Sequence, residues 1–155
     1  MNAHFARAKV KPVVEFKKNH PDARLPEYAH PGQDSGMDLF ALEEITIPPD
    51  SWELVSTGLS MSLPRGHEGQ IRSKSGLALS QGLSVLNSPG TIDFGYTGEL
   101  GVILKNHGMS YVMVAKGQKI AQLVIAPVTH AHLVEVTSLG SSDRGEGGFG
   151  STGLE

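Results

Sequence analysis

The stretch ELGVILKN, residues 99–106, alternates with a period of two. Leu100, Val102 and Leu104 fall on one side, and Gly101, Ile103 and Lys105 on the other. Successive side chains of a β-strand point to opposite faces, so this pattern describes a strand with one face in a core. Short β-rich runs of the same kind recur on both sides, separated by Gly, Pro, Asn and Asp. Upstream lie VVEF (13–16), MDLFAL (37–42), ITI (45–47), WELVSTGLSMSL (52–63), GQIRS (69–73) and LSVLN (83–87). Downstream lie YVMVA (111–115), KIAQLVIAPV (119–128) and HLVEV (132–136). Only SGLALSQG (75–82) reads as a helix, of barely two turns. Many short strands at this spacing predict an all-β, antiparallel sandwich or barrel of the jelly-roll sort, with one short helix.

The chain has 155 residues, enough for one domain with one hydrophobic core, and 39% of them are apolar. Nineteen glycines and nine prolines fit a turn-rich architecture. Thirteen basic against sixteen acidic residues leave a formal charge of −3, which argues against a nucleic-acid groove. There is no cysteine, hence no disulfide framework, Cys-based metal site or thiol nucleophile, which is compatible with the cytoplasm. No run approaches the roughly 20 apolar residues that span a bilayer, and MNAHFARAKV is no secretory signal. The expected organisation is a single domain over 1–155, with a core at about 9–138. A glycine-rich arm over 139–155 is too polar to fold alone.

Four stretches carry chemistry. RGEGGFGSTG (144–153) combines glycines, whose backbone N–H groups approach an anion unhindered, with Arg144, Ser151 and Thr152. These are the parts of a phosphate cradle, without the Walker A spacing. The plainer reading is a solubilising tail, against which Phe149 counts, because it needs something to pack on. SPGTIDFGYTGELGV (88–102) reads as a β-hairpin displaying Asp93 and Tyr96 near its tip; a turn carboxylate and an edge tyrosine are the plainer alternative. QIRSKSGLALS (70–80) sets Arg72, Lys74 and Ser75 at a strand end before a helix start, an arrangement suited to an oligophosphate. DSGMDLFA (34–41) offers Asp38 either to orient a hydrated Mg²⁺ or to hold a turn. His130 and His132 share a strand face, but no third ligand pattern accompanies them.

Taken in order, DSGMDLFA, RSKSGLA, GTIDFGYTGELGV, GQKIAQLVI and RGEGGFGSTG resemble the five motifs of the homotrimeric dUTPases. The resemblance runs from about Gly32 to Gly153, and its last motif is the most specific. It implies a jelly-roll homotrimer whose sites are shared between subunits. It also implies Mg²⁺-dependent hydrolysis of dUTP to dUMP and pyrophosphate, keeping uracil out of DNA and supplying dUMP for dTMP synthesis. By the resemblance, Asp93 is the general base that activates the attacking water. Tyr96 packs under the deoxyribose, and the backbone of the Asn87–Tyr96 hairpin, including Gly90, Thr91 and Ile92, meets the uracil edge. Arg72, Lys74, Ser75 and Gly76 serve the phosphates, Gln122 lies near the α-phosphate, and Asp38 holds Mg²⁺ through water while the triphosphate supplies the metal's main ligands. In the arm, Arg144 takes the γ-phosphate and Phe149 stacks on uracil, with Gly148, Gly150, Ser151 and Thr152 closing the cradle. The expected partners are dUTP, dUMP and two further copies of the chain, with neither nucleic acid nor membrane.

Two adjacent positions depart from the family pattern. The second motif usually reads Pro-Arg-Ser-Gly, and here Ser73, Lys74, Ser75 and Gly76 stand instead. Lysine keeps the charge and loses the bidentate fork of arginine. Two alternatives share the sequence features: a dCTP deaminase-like enzyme of the same fold, and a regulatory protein gated by nucleotide.

Overall fold

The computed structural model describes residues 11–148. Its strands, in chain order, are β1 (Glu15–Lys18), β2 (Met37–Phe40), β3 (Ile45–Ile47), β4 (Trp52–Ser62) and β5 (His67–Arg72). A seven-residue helix α1 (Ser75–Gln81) follows, then β6 (Leu83–Val85), β7 (Gly90–Ile92), β8 (Glu99–Asn106), β9 (Val112–Val114) and β10 (Lys119–Pro127). One sheet has the order β1-β4-β8-β6 and a second the order β2-β10-β5-β7, while β3 and β9 form a two-stranded ladder. Every named strand pairing is antiparallel. The result is the expected all-β, jelly-roll-like architecture with one short helix.

The alternation in β8 does what its pattern predicts. Leu100, Val102 and Leu104 are fully buried, facing a core that also takes Val55, Leu59 and Met61 of β4. From the opposite sheet come Leu39, Ile71, Ala121 and Leu123, and from the small ladder Ile47 and Val114. Each fully buried Leu or Ile contributes roughly 1.5–3 kcal/mol. Asn106, the last residue of β8, is buried as well, and its polarity is used up internally. Its side-chain NH₂ donates to the carbonyls of Ile47 (3.1 Å), Pro48 (3.0 Å) and Ser110 (2.8 Å). Its Oδ1 accepts from the N–H of Gly108 at 2.9 Å.

Two readings of the sequence need correction. The segment 87–96 is not a hairpin, because β7 pairs with β5 in one sheet and β8 pairs with β4 and β6 in the other. Ile92 packs against the core beneath β5, whereas Leu100 belongs to β8 in the opposite sheet, so residues 93–98 form a corner between the two sheets. HLVEV, despite its strand-like composition, joins no ladder among the described residues. Pro127 ends the last strand, and residues 131–146 are all exposed.

Candidate active site

The sheet β2-β10-β5-β7 aligns three of the expected residues in one row. Gln122 on β10 stands opposite Asp38 on β2 and opposite Arg72 on β5. Residues directly opposite in a ladder share a face, so all three project outward from the sheet, away from Leu39, Ile71 and Leu123. Gly36 makes this row possible: a Cβ there would lie 3.0 Å from both Cβ and Oε1 of Gln122. A cavity of about 400 Å³ opens at this point, lined among others by His30, Asp34, Gly36, Asp38, Lys74 and Gln122.

Asp38 is 6% exposed and doubly paired. Lys74, the residue just before α1, donates from Nζ to Oδ1, and Lys119 donates to Oδ2 at 2.7 Å. Burial pushes the Asp38 carboxyl up, but the hydrogen bonds and charges of Lys119 and Lys74 outweigh it and hold it below the usual carboxylate value. The same contact, through the Asp38 hydrogen bond and charge, holds Lys119 above the usual lysine value. Lys119 is the site residue that sequence reading missed. It stands inside the quoted GQKIAQLVI motif, but nothing in that motif says that its ammonium reaches another strand.

Both oxygens of Asp38 are engaged, and no group of three metal-ligating side chains gathers anywhere among the described residues. That arrangement fits a metal whose ligands are mainly phosphate oxygens and water, with Asp38 touching it only through water.

Arg72 is exposed, and its guanidinium donates to Gln70 Oε1, with the Nε contact at 3.0 Å. Ser75 and Gly76 begin the helix and are exposed.

A second cavity, of about 300 Å³, gathers Thr91, Ile92, Asp93 and Tyr96 with Leu54 and Glu99. The corner is closed by the Tyr96 N–H donating to the carbonyl of Asp93 at 3.1 Å. Gly90 lies in the sheet beside Asn87, whose Nδ2 is 3.4 Å from where a Cβ at position 90 would stand. Asp93 is exposed, in contrast to Asp38 beneath its two lysines.

The two cavities have no lining residue in common. β2 and β7 are opposite edges of one four-stranded sheet, so three strand spacings, roughly 14 Å, lie between them. Arg144 lines neither cavity; its Nε donates to the carbonyl of Gly147 at 2.8 Å within an exposed turn. Gly148 is the last described residue, and Phe149, Gly150, Ser151 and Thr152 lie outside the described residues.

The dUTPase family model matches residues 22–153. A deoxyuridine 5'-triphosphate nucleotidohydrolase of Clostridium tetani is 55% identical over 141 residues, covering 91% of this chain and 97% of that protein. Among solved structures, a Gly-to-Ser mutant of the Staphylococcus bacteriophage 80alpha dUTPase with dUpNHpp superposes with a TM-score of 0.85 at 29% identity, covering 92% of this chain and 99% of the other. An Asp-to-Asn mutant of the dUTPase from phage phi11 of S. aureus, described with a structural Mg(II) ion, gives a TM-score of 0.77 at 26% identity, with coverages of 83% and 99%. Motifs and fold therefore agree with these matches, and the chain belongs to the dUTPase family.

Proposed function

We propose that this protein hydrolyses dUTP to dUMP and pyrophosphate, keeping uracil out of DNA and supplying dUMP for dTMP synthesis. The observation that carries the reading is the cavity in which Asp93 and Tyr96 stand together in a member of this family. The exposed Asp93 carboxylate accepts a proton from a water that attacks the α-phosphorus. The bond from that phosphorus to the bridging oxygen breaks, and pyrophosphate leaves with the electron pair. A positioned base of this kind contributes roughly 10²–10⁴-fold. Tyr96 forms the wall against which the deoxyribose rests, leaving no room for a 2′-OH. Backbone groups from Asn87, Gly90, Thr91 and Ile92 meet the uracil edge and leave the polar groups of cytosine unmatched.

Gln122 orients the α-phosphate, and Arg72, Lys74, Ser75 and Gly76 receive the phosphate chain. A bound Mg²⁺ would neutralise charge on the triphosphate oxygens, with Asp38 orienting its water shell. Arg144 serves the γ-phosphate and Phe149 the uracil ring, with Gly148, Gly150, Ser151 and Thr152 around the phosphates.

The Asp38 and Asp93 cavities lie towards opposite edges of one sheet and share no lining residue, which supports a site shared between copies of the chain. The assembly we propose is a homotrimer. The segment after β10 supports it, because Leu133 is 88% and Leu139 89% exposed, alongside Val134 and Val136, an apolar stretch of the kind that marks a protein interface. Among the described residues no helix is long and apolar enough to cross a membrane. The lack of cysteine suits a cytoplasmic enzyme.

The test is pyrophosphate release from dUTP with Mg²⁺, run beside dCTP. Wild type is expected to turn over dUTP and leave dCTP intact. Asp93→Asn is expected to lose about 10²–10⁴-fold in kcat while still binding dUTP. Ammonia released from dCTP would overturn the assignment in favour of a deaminase of the same fold.

A further inference from the structure

Tyr96 is 47% exposed on a corner between sheets, so its side chain needs an explicit reason to stay in one place. The structure provides two. The hydroxyl donates to the carbonyl of Glu99 at 3.0 Å, and the ring lies directly on the backbone of Gly98. A Cβ at position 98 would stand 2.5 Å from the Tyr96 hydroxyl oxygen, 2.6 Å from Cζ and 3.0 Å from Cε2. Real side chains do not approach so closely, so the ring would have to leave.

The carbonyl that anchors the hydroxyl is itself fixed. Glu99 opens β8 opposite Ser60 of β4, and its carboxylate accepts from the Ser56 hydroxyl and, at 3.1 Å, from the Gly58 N–H. Glycine at position 98 is not a backbone requirement, because its φ lies outside the left-handed region that alanine avoids. Gly95 in the same corner is the converse, with φ of 95° and nothing within 4 Å of a Cβ. One glycine serves the turn and the other serves the ring.

We infer that Gly98 is a specificity-determining positioning residue: it leaves the space in which the Tyr96 ring lies flat, and so sets where the sugar-facing wall of the Asp93 cavity stands. The inference rests on the reading of Tyr96 as that wall. Replacing Gly98 by alanine moves the ring by about 1 Å, the difference between 2.5 Å and an ordinary contact near 3.5 Å. The fit that separates deoxyribose from ribose is lost with it, while Asp93 and the phosphate-binding residues are untouched.

The experiment compares kcat/KM for dUTP and UTP in wild type, Gly98→Ala, Tyr96→Ala and the double variant. Gly98→Ala is expected to reduce the dUTP/UTP ratio by about tenfold or more. In the Tyr96→Ala background, the same alanine is expected to change the ratio less than about twofold, because no ring remains to displace. A merely structural role predicts equal losses on both nucleotides, with the ratio kept, and that outcome overturns the proposal. So does an alanine effect of the same size with and without the ring. Should the single variant fail to fold, the double variant still decides: relief of the clash predicts that it folds, and its failure to fold overturns the proposal. Tyr96→Ala separates the two levels. If it leaves the ratio unchanged, the wall reading fails and this inference with it; if it collapses the ratio while Gly98→Ala does not, only the inference fails.

Discussion

Asp38 shows how one buried carboxylate is held in readiness by charge. Lys74 engages one oxygen and Lys119 the other, so the group lies below the usual carboxylate value in spite of its burial. A group depressed on folding contributes stability that is complete above its unfolded value of about 3.9. That contribution disappears as pH falls through the lower folded value. Metal-free wild type is therefore expected to lose its margin over Asp38→Asn as pH drops below about 4 and through the lower folded value, as read by calorimetric midpoints in chelator. A constant margin would refute it. Lys119, raised on folding, has the opposite sign: its share is complete below about 10.4 and is lost as pH climbs through the higher folded value. At the same scale, Gly36→Ala is expected to push Gln122 out of its row, lowering kcat by roughly 10- to 100-fold with a small effect on the melting midpoint. That Asp38, Asp93 and Tyr96 line the two cavities was legible because their motifs are. The contacts of Lys119 and Gly98 were not, because a contact between strands and a ring lying on a glycine leave no pattern in the local sequence.

Elements were readable where burial is periodic. Leu100, Val102 and Leu104 announce β8, and the helix starts at Ser75 as expected. The reading failed at residues 87–96 because turn residues report that the chain reverses but not which sheet receives it. The apolar side chains decided that: Ile92 packs against the core from β7 beside β5, and Leu100 from β8 beside β4. Asn106 illustrates a polar residue fastening elements together. Its amide holds the ends of β3 and of the loop after β8, which no alternation pattern could signal. Asn106→Ala strands three carbonyls and one N–H, and is expected to cost on the order of 3 kcal/mol in denaturant unfolding. A loss below about 1 kcal/mol would mean that water replaces the amide there.

For the whole molecule, the exposed apolar stretch after Pro127 is the feature a lone chain leaves unexplained. Its composition was legible as a strand, but its partner was not, since none lies among the described residues. Leu133→Asp is expected to shift light-scattering mass from trimer towards monomer and to lower activity in parallel. A chain ending at Leu139 is expected to keep the trimer and lose on the order of 100-fold in turnover. Full activity in that truncation would make the arm a mere tail.

The placement of Asp38 and Asp93 on opposite edges of one sheet has a consequence for inheritance. Two defective alleles, one encoding Asp38→Asn and the other Asp93→Asn, are each expected to yield an inactive protein. Co-expressed, they are expected, on the proposed homotrimer with shared sites, to form mixed trimers in which about a quarter of sites pair an intact Asp38 from one chain with an intact Asp93 from another. Partial complementation between two dead copies is the genetic signature of a centre no single polypeptide owns.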